Sequence, residues 1–431
     1  MSHNPPRRYD KFPTVTVPGD HRTWSGAEAW REIAARGPRP VVVDTYPGTD
    51  LPELKRCIAE ALPGHRLLDV EDLAGFDRLV SAGAVDMHGW HAQSLDLRGR
   101  SAALEHLDVE GTVFLGCTFD EGMEDLLRRR GALIFPRLEG VPFNPYRAAL
   151  YSPAELYAGL ADAPYEELPV ARIYQWSILP GRRHRTDATL ASALHDHAIG
   201  DALDELINSE HWAGRSMVGV MGGHAAQRGS VDYAQAAQLG RLLAQAGYAV
   251  ATGGGPGAME AANLGAYLSA ESQDALAASL ESLAVVPGFR PSVSAWAQAA
   301  AAVVERYPGG TPSLGIPTWF YGHEPPNYFA THIAKYFANA IREAILLELC
   351  QGGIVFLPGA AGTVQEIFQD ACENYYGARE KITPMVLVGR RHWEHQYPAW
   401  PMLRSLAVGR PMADEIYLVD SVEEAVEVLR P

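Results

Sequence analysis

Short apolar runs alternate along the chain with stretches in which apolar residues recur at helical spacing. Residues 40–45 (PVVVDT) form a β-branched, strand-like run, and 51–62 carry a helical pattern. Residues 112–117 (TVFLGC) and 132–135 (ALIF) predict two buried strands, with a helix at 121–130 between them. From residue 216 the rhythm is clearer. Strands are predicted at 217–221, 248–252, 314–321, 354–357, 385–388 and 416–419. Helices are predicted at 232–247, 257–269, 291–306, 327–349 and 422–429. The Ala-rich stretch 275–303 is helix-forming, and neither an internal repeat nor a low-complexity tail is evident. Strands separated by helices of this length imply an α/β protein with a parallel sheet and right-handed crossovers. Ligands in such sheets sit beyond the carboxyl ends of the strands.

The basic, Pro- and Gly-containing stretch 179–187 (LPGRRHRTD) reads as a connection between domains, with Thr186 or Asp187 capping a helix that reaches about residue 208. The expected division is therefore 1–175, one α/β domain, and 176–431, a second α/β domain with the clearer strand–helix rhythm. Lys plus Arg number 36 against 52 Asp plus Glu, a formal charge of −16. Such a surface repels polyanions, so neither nucleic acid nor an anionic membrane is an expected partner. Backbone N–H groups can bind a small anion whatever the net charge. The cysteines, Cys57, Cys117, Cys350 and Cys372, are widely scattered, which fits a reducing compartment better than a disulfide framework or a zinc knuckle. With no apolar run of transmembrane length, a soluble, cytoplasmic protein is expected.

Three constellations carry chemistry. The first is Gly253-Gly254-Gly255-Pro256-Gly257-Ala258-Met259-Glu260, placed directly after a strand and opening a helix. Its glycines permit a sharp turn and close approach of a ligand, and the helix start offers N–H groups to an anion. The same residues satisfy a relaxed dinucleotide fingerprint, without a convincing acidic partner about 20 positions on. They equally suit a plain glycine C-cap and tight turn. The second is Pro358-Gly359-Ala360-Ala361-Gly362-Thr363-Val364-Gln365-Glu366, again strand, glycine turn and helix. Thr363 to Glu366 also read as a capping box that needs no ligand. The third is Arg342, on the helix before the second turn, where a surface pair with Glu343 or Glu348 is the competing expectation. The turn at 46–50 (YPGTD) lacks P-loop spacing. His195 and His197, two apart on a helix, face different ways, so shared metal ligation is not expected.

These motifs together resemble the Lonely Guy (LOG) family of nucleoside 5′-monophosphate phosphoribohydrolases, whose pattern is a G-G-G-x-x-G-x-M turn, a helical arginine and P-G-G-x-G-T-x-x-E. The resemblance covers about residues 216–431, with an insertion around 270–310, and Gly222-Gly223 take the place of the family's first turn. Ala360 departs from the second glycine of the last motif, and Glu343 stands where short members have lysine. The length and these departures place the chain nearer the long bacterial members that cleave purine or pyrimidine nucleotides, the PpnN-like group. The resemblance implies a Rossmann-like, doubly wound sheet preceded by a second α/β domain, and a homo-oligomer, dimer or higher, with pockets near the subunit contact.

Cleaving the bond between C1′ and a base nitrogen builds positive charge on the sugar and negative charge on the base. Glu366 is the carboxylate assigned to stabilise the sugar and activate water, and Arg342 the cation that holds phosphate or orients that carboxylate. The phosphate is expected on the N–H groups of Gly359, Ala360, Ala361, Gly362 and Thr363, beside Pro358. Gly222, Gly223, Gly253, Gly254, Gly255, Gly257, Met259 and Glu260 would shape the other walls. His323 and Asn327, in the turn Gly322-His-Glu-Pro-Pro-Asn327, would line the base side, with a proline-rich turn and a helix N-cap at Asn327 as the competing reading. No metal or cofactor is needed, and the products would be free base and ribose 5-phosphate. Two rivals stand beside this reading. One is a non-catalytic nucleotide sensor or molybdenum-cofactor carrier of the same fold, and the other an NAD(P)-binding oxidoreductase resting on the Gly253 turn alone.

Overall fold

The computed structural model describes residues 14–16, 23–24, 42–44, 68–209, 212 and 214–430. The helix expected at 51–62, the turn at 46–50 and Cys57 lie outside these. The strand expected at 40–45 is present as Val42–Asp44 (β3), antiparallel to Thr14–Thr16 (β1), which also pairs with Thr23–Trp24 (β2).

The chain divides into two compact units, Met1–Glu139 and Gly140–Pro431. The border lies well before residue 175, because the intervening residues belong to the second unit's core. Tyr151, Leu156, Leu168 and Ile173 are buried there with Trp296, Ile316 and Trp319, and Tyr151 exchanges backbone hydrogen bonds with Ile333. The stretch 179–187 is likewise internal to that unit. Arg182 donates to the Ser177 carbonyl and the Ser192 hydroxyl, and the helix Thr186–Asn208 begins after Arg185 without a side-chain cap.

In the first unit, Leu68–Val70 (β4), Trp90–Gln93 (β5), Val113–Leu115 (β6) and Leu133–Phe135 (β7) form a parallel sheet in chain order. Each strand pairs with one roughly twenty residues further on, the step of a solenoid repeat. The N–H of Gly89 donates to the Gly111 carbonyl and that of Gly111 to Gly131, all three with φ between 71° and 91°. An internal repeat therefore exists where none was expected. It is hidden because the stacked interior column Ala92, Phe114 and Ile134 conserves burial and not identity.

In the second unit, Met217–Met221 (β8), Ala249–Thr252 (β9), Leu314–Gly315 (β10), His332–Ile333 (β11), Ile354–Phe356 (β12), Met385–Val388 (β13) and Ile416–Val419 (β14) form one parallel sheet in the order β11-β10-β9-β8-β12-β13-β14. Apolar clusters cover both faces, and β8, β9, β12 and β13 are buried throughout. Such runs are what a sheet covered on two sides requires. The chain leaves β8 toward β11 and returns on the other side as β12, so the fold is α/β, Rossmann-like and doubly wound. The reversal between β8 and β12 is the point where such sheets open a crevice.

Two expectations fail locally. The helix predicted at 327–349 is only Asn339–Leu349. The residues before it carry β11, whose parallel pairing with β10 overrides the helical pattern. The strand predicted at 314–321 shrinks to β10. The Ala-rich stretch makes two helices, Gln273–Ala284 and Val293–Arg306. Among the described residues no helix is long and apolar enough to cross a membrane.

Candidate functional site

Three turns meet at the carboxyl ends of β8, β9 and β12. Gly222-Gly223, after β8, are clamped between the other two. Gly223 N–H donates to the Pro358 carbonyl at 3.1 Å, and its own carbonyl accepts from Ala258 N–H at 3.1 Å. A Cβ on Gly222 would stand 2.9 Å from the Ala258 methyl. After β9, residues 253–257 lead into the helix Ala258–Tyr267. Gly257 has φ +77°, and a Cβ there would lie 2.6 Å from the carbonyl oxygens of both Gly223 and His224. Only glycine fits that crossing. Met259 folds back over the turn, its sulfur 2.8 Å from where a Cβ on Gly253 would be and its methyl 2.9 Å from the same point on Gly255.

After β12, residues 358–360 lead into the helix Ala361–Tyr376, whose N-cap residue is Ala360 and which has no side-chain cap. Thr363 and Glu366 lie inside the helix, so the capping-box reading fails. Val364 N–H donates to the Ala360 carbonyl, which leaves the N–H groups of the preceding residues at an open helix start. Ala360, Ala361 and Gly362 are exposed there and Thr363 is buried. The Gly359 peptide is held by the His392 ring, whose Nε2 lies 2.8 Å from its carbonyl oxygen and 3.2 Å from its nitrogen. Ala360 has φ −113°, so its methyl asks for no left-handed backbone.

Arg342 is only 9 % exposed, and the expected surface pairs do not form. Its Nε donates to the Ile316 carbonyl at 2.6 Å and Nη2 to the Gly253 carbonyl at 3.4 Å. Its Nη1 stands 3.9 Å from Glu366 Oε1. Glu343 is occupied by Asn339 and Gln365. Burial raises the Glu366 carboxyl to about 7, against the pull of Arg342 and with a push from Glu343. A carboxyl so tuned is divided between its acid and base forms near neutral pH, as proton-transfer chemistry requires.

Asp196, which lies between His195 and His197, fixes the start of the arginine helix. Its two oxygens accept the N–H groups of Phe337 and Ala338, each at 2.8 Å. His195 is buried beside it, 2.8 Å from the Tyr151 hydroxyl, whereas His197 faces out toward Asp201. Asn327 is not a helix cap. Its Nδ2 donates to Asn263 Oδ1 and the Gly255 carbonyl, and its backbone N–H to the Gly254 carbonyl. With Thr252, which bonds both Asn263 and Gly254 N–H, it staples the glycine turn in place. Glu260 is turned away from the crevice. It is buried and ion-paired with Arg228, whose guanidinium also lies over Trp296. His323 sits half exposed at the rim, 3.9 Å from Glu324. Glu324 and Lys335 were not anticipated.

Residues 215–275, which carry β8, β9 and the first two glycine turns, match the model of the SLOG cluster4 family. Among solved structures, the chain is similar to the molybdenum cofactor binding protein from Rippkaea orientalis, at 18% identity over 50% of this chain and 95% of that chain, with a TM-score of 0.32. It is also similar to the molybdenum cofactor carrier protein from Chlamydomonas reinhardtii, at 18% identity over 50% and 96% of the two chains, with a TM-score of 0.30. No curated protein matches the chain.

Proposed function

We propose that the second unit binds a nucleoside 5′-monophosphate at the switch-point crevice and hydrolyses its N-glycosidic bond to free base and ribose 5-phosphate. The observation that carries this reading is the facing of Glu366 and Arg342 across 3.9 Å beside an open helix start. A phosphate suits that helix start, where N–H groups and the helix dipole favour an anion. Arg342 is pinned to two strand ends by its Nε and Nη2 bonds, which directs Nη1 at Glu366. The carboxylate stabilises positive charge at C1′ and takes a proton from the attacking water. Self-association, with the pocket near the subunit contact, belongs to the same proposal and is read from the solution mass.

The test is product analysis on a panel of nucleoside 5′-monophosphates and the matching nucleosides, alongside Glu366→Ala. Release of base from monophosphates only, lost in the variant, is the expected result. Tight nucleotide binding without release would favour a sensor or carrier instead.

A further inference from the structure

A cavity of about 590 Å³ lies in the second unit between the helices Thr186–Asn208 and Asn339–Leu349. Ser216 and Met217 border it at the amino end of β8, and Gln351 just before β12. It therefore opens at the opposite end of these strands from the crevice. Its floor is apolar, with Leu203, Trp212, Met217 and Tyr336 all buried. Asp204 from one helix and Glu348 from the other stand exposed at the rim. An apolar floor with a few polar groups at the mouth is the make-up of a small-molecule site, and the volume falls in the usual range.

Two features of the walls have no account in the packing of the chain itself. Gly200 sits in the interior of a 23-residue helix, where alanine would be the better helix former. Among the described residues nothing stands within 4 Å of where its Cβ would be, so no close approach demands glycine. A side chain there would enter the cavity that Gly200 lines. Tyr336 is fully buried, yet its hydroxyl has no hydrogen-bond partner among the described residues, against the rule for buried polar groups. The carboxylates that act on this phenol are Asp196 and Asp204. Asp196 is taken by the N–H groups of Phe337 and Ala338, which leaves the hydroxyl facing the cavity wall that carries Asp204. The rim is also short of positive charge. Burial, with Asp201 and Glu348 adding to it, holds the Asp204 carboxyl above its usual range. Arg215 stands at the same rim, but among the described residues it pairs with neither carboxylate. Among the described residues no group of three or more His, Cys, Asp or Glu is placed to hold a metal ion, so the cation that suits this rim is an organic one.

We propose that this cavity binds a small amine with an apolar body, its ammonium held by Asp204, Glu348 and the Tyr336 hydroxyl and its body lying on Trp212 and Leu203 in the space that Gly200 leaves open. The ammonium donates to the carboxylates and to the Tyr336 oxygen, and the apolar body covers the floor. An aromatic wall such as Trp212 adds attraction for the positive charge. The site shares no residue with the crevice, so the inference stands apart from the phosphoribohydrolase reading.

The experiment is calorimetric titration of the full chain with tryptamine and with tryptophol, which carries a neutral hydroxyl in place of the ammonium on the same indole body. The wild type is expected to bind tryptamine roughly tenfold more tightly. Asp204→Asn and Glu348→Gln should each weaken tryptamine about two- to fivefold and leave tryptophol unchanged, and the double variant should erase the preference. Gly200→Leu should weaken both probes by roughly tenfold or more with no fall in Tm, because its side chain enters open space. Tyr336→Phe removes a hydroxyl that has no partner, so the unliganded protein should keep its Tm while tryptamine binds more weakly. A purely structural tyrosine would leave binding unmoved. No heat of binding with tryptamine at millimolar concentration, equal affinity for the two probes, or binding unaffected by Gly200→Leu would overturn the proposal.

Discussion

Replacing Glu366 with glutamine should make the protein inactive and, above neutral pH, more stable. Burial raises this carboxyl from 4.5 to about 7. Each tenfold change in proton affinity is worth about 1.4 kcal/mol, so ionising the folded protein at this position costs roughly 3 kcal/mol. Between these two pH values the folded chain holds a proton that the unfolded chain has released. Stability from this group therefore falls as pH rises through the window and is level above it. Glutamine copies the protonated form and escapes the cost. The variant should match the wild type near pH 4 and gain roughly 3 kcal/mol by pH 8, which is several degrees in Tm for a unit of this size. Other buried carboxyls, such as Asp370, are shared by both proteins and cancel in the difference. Calorimetric scans of the two proteins across this range read the effect directly. Wild-type base release should rise over the same window. A stability difference independent of pH, or a less stable glutamine variant at pH 8, would refute the assignment of Glu366 as a buried, ionising group.

Removing the Arg342 charge in Arg342→Met should raise Glu366 further and move the acid limb of the rate profile to higher pH, read from kcat against pH. Gly257→Ala should abolish nucleotide binding and cost about 1–3 kcal/mol or more, since its φ of +77° and two carbonyl oxygens at 2.6 Å leave no place for a methyl; calorimetric titration and unfolding check both parts. Asp196→Ala leaves the N–H groups of Phe337 and Ala338 unpaired and should cost about 1–3 kcal/mol, with a fall in kcat as Arg342 loosens. Ala360→Gly should leave turnover nearly unchanged, because the alanine has an ordinary φ and an exposed methyl; a large gain would show that the methyl obstructs the ligand.

The sheet was legible because parallel strands buried on both faces must be short apolar runs, and β8 and β13 fall where those runs stand. The arginine helix was overextended because residues 327–338 contain helix-compatible spacing, while their fate is decided by non-local bonds. Asn327 is tied to Gly254 and Gly255, and β11 pairs with β10. A sequence pattern has no access to such partners. The solenoid in the first unit escaped for a related reason. Its repeat is one of burial and turn geometry, and the aligned residues differ.

Glu260 and Glu366 show where local reading ends. Both lie in the opening turns of a helix that follows a glycine turn at a strand's carboxyl end, and by local grammar both are candidates for the ligand. Each also has an arginine within reach, contributed by a distant segment. Arg228 closes on Glu260 in a fully buried ion pair, sealed by Trp296 and bonded to its carbonyl. A carboxylate so paired is already neutralised, and breaking the pair to meet a substrate would strand a buried charge. Arg342 is held back from Glu366 by the carbonyls of Ile316 and Gly253, which take its Nε and Nη2. At 3.9 Å it influences the carboxyl without consuming it. The difference between a structural and a chemically available glutamate here is what else its arginine is bonded to. In the second case those bonds come from the strand ends that build the crevice.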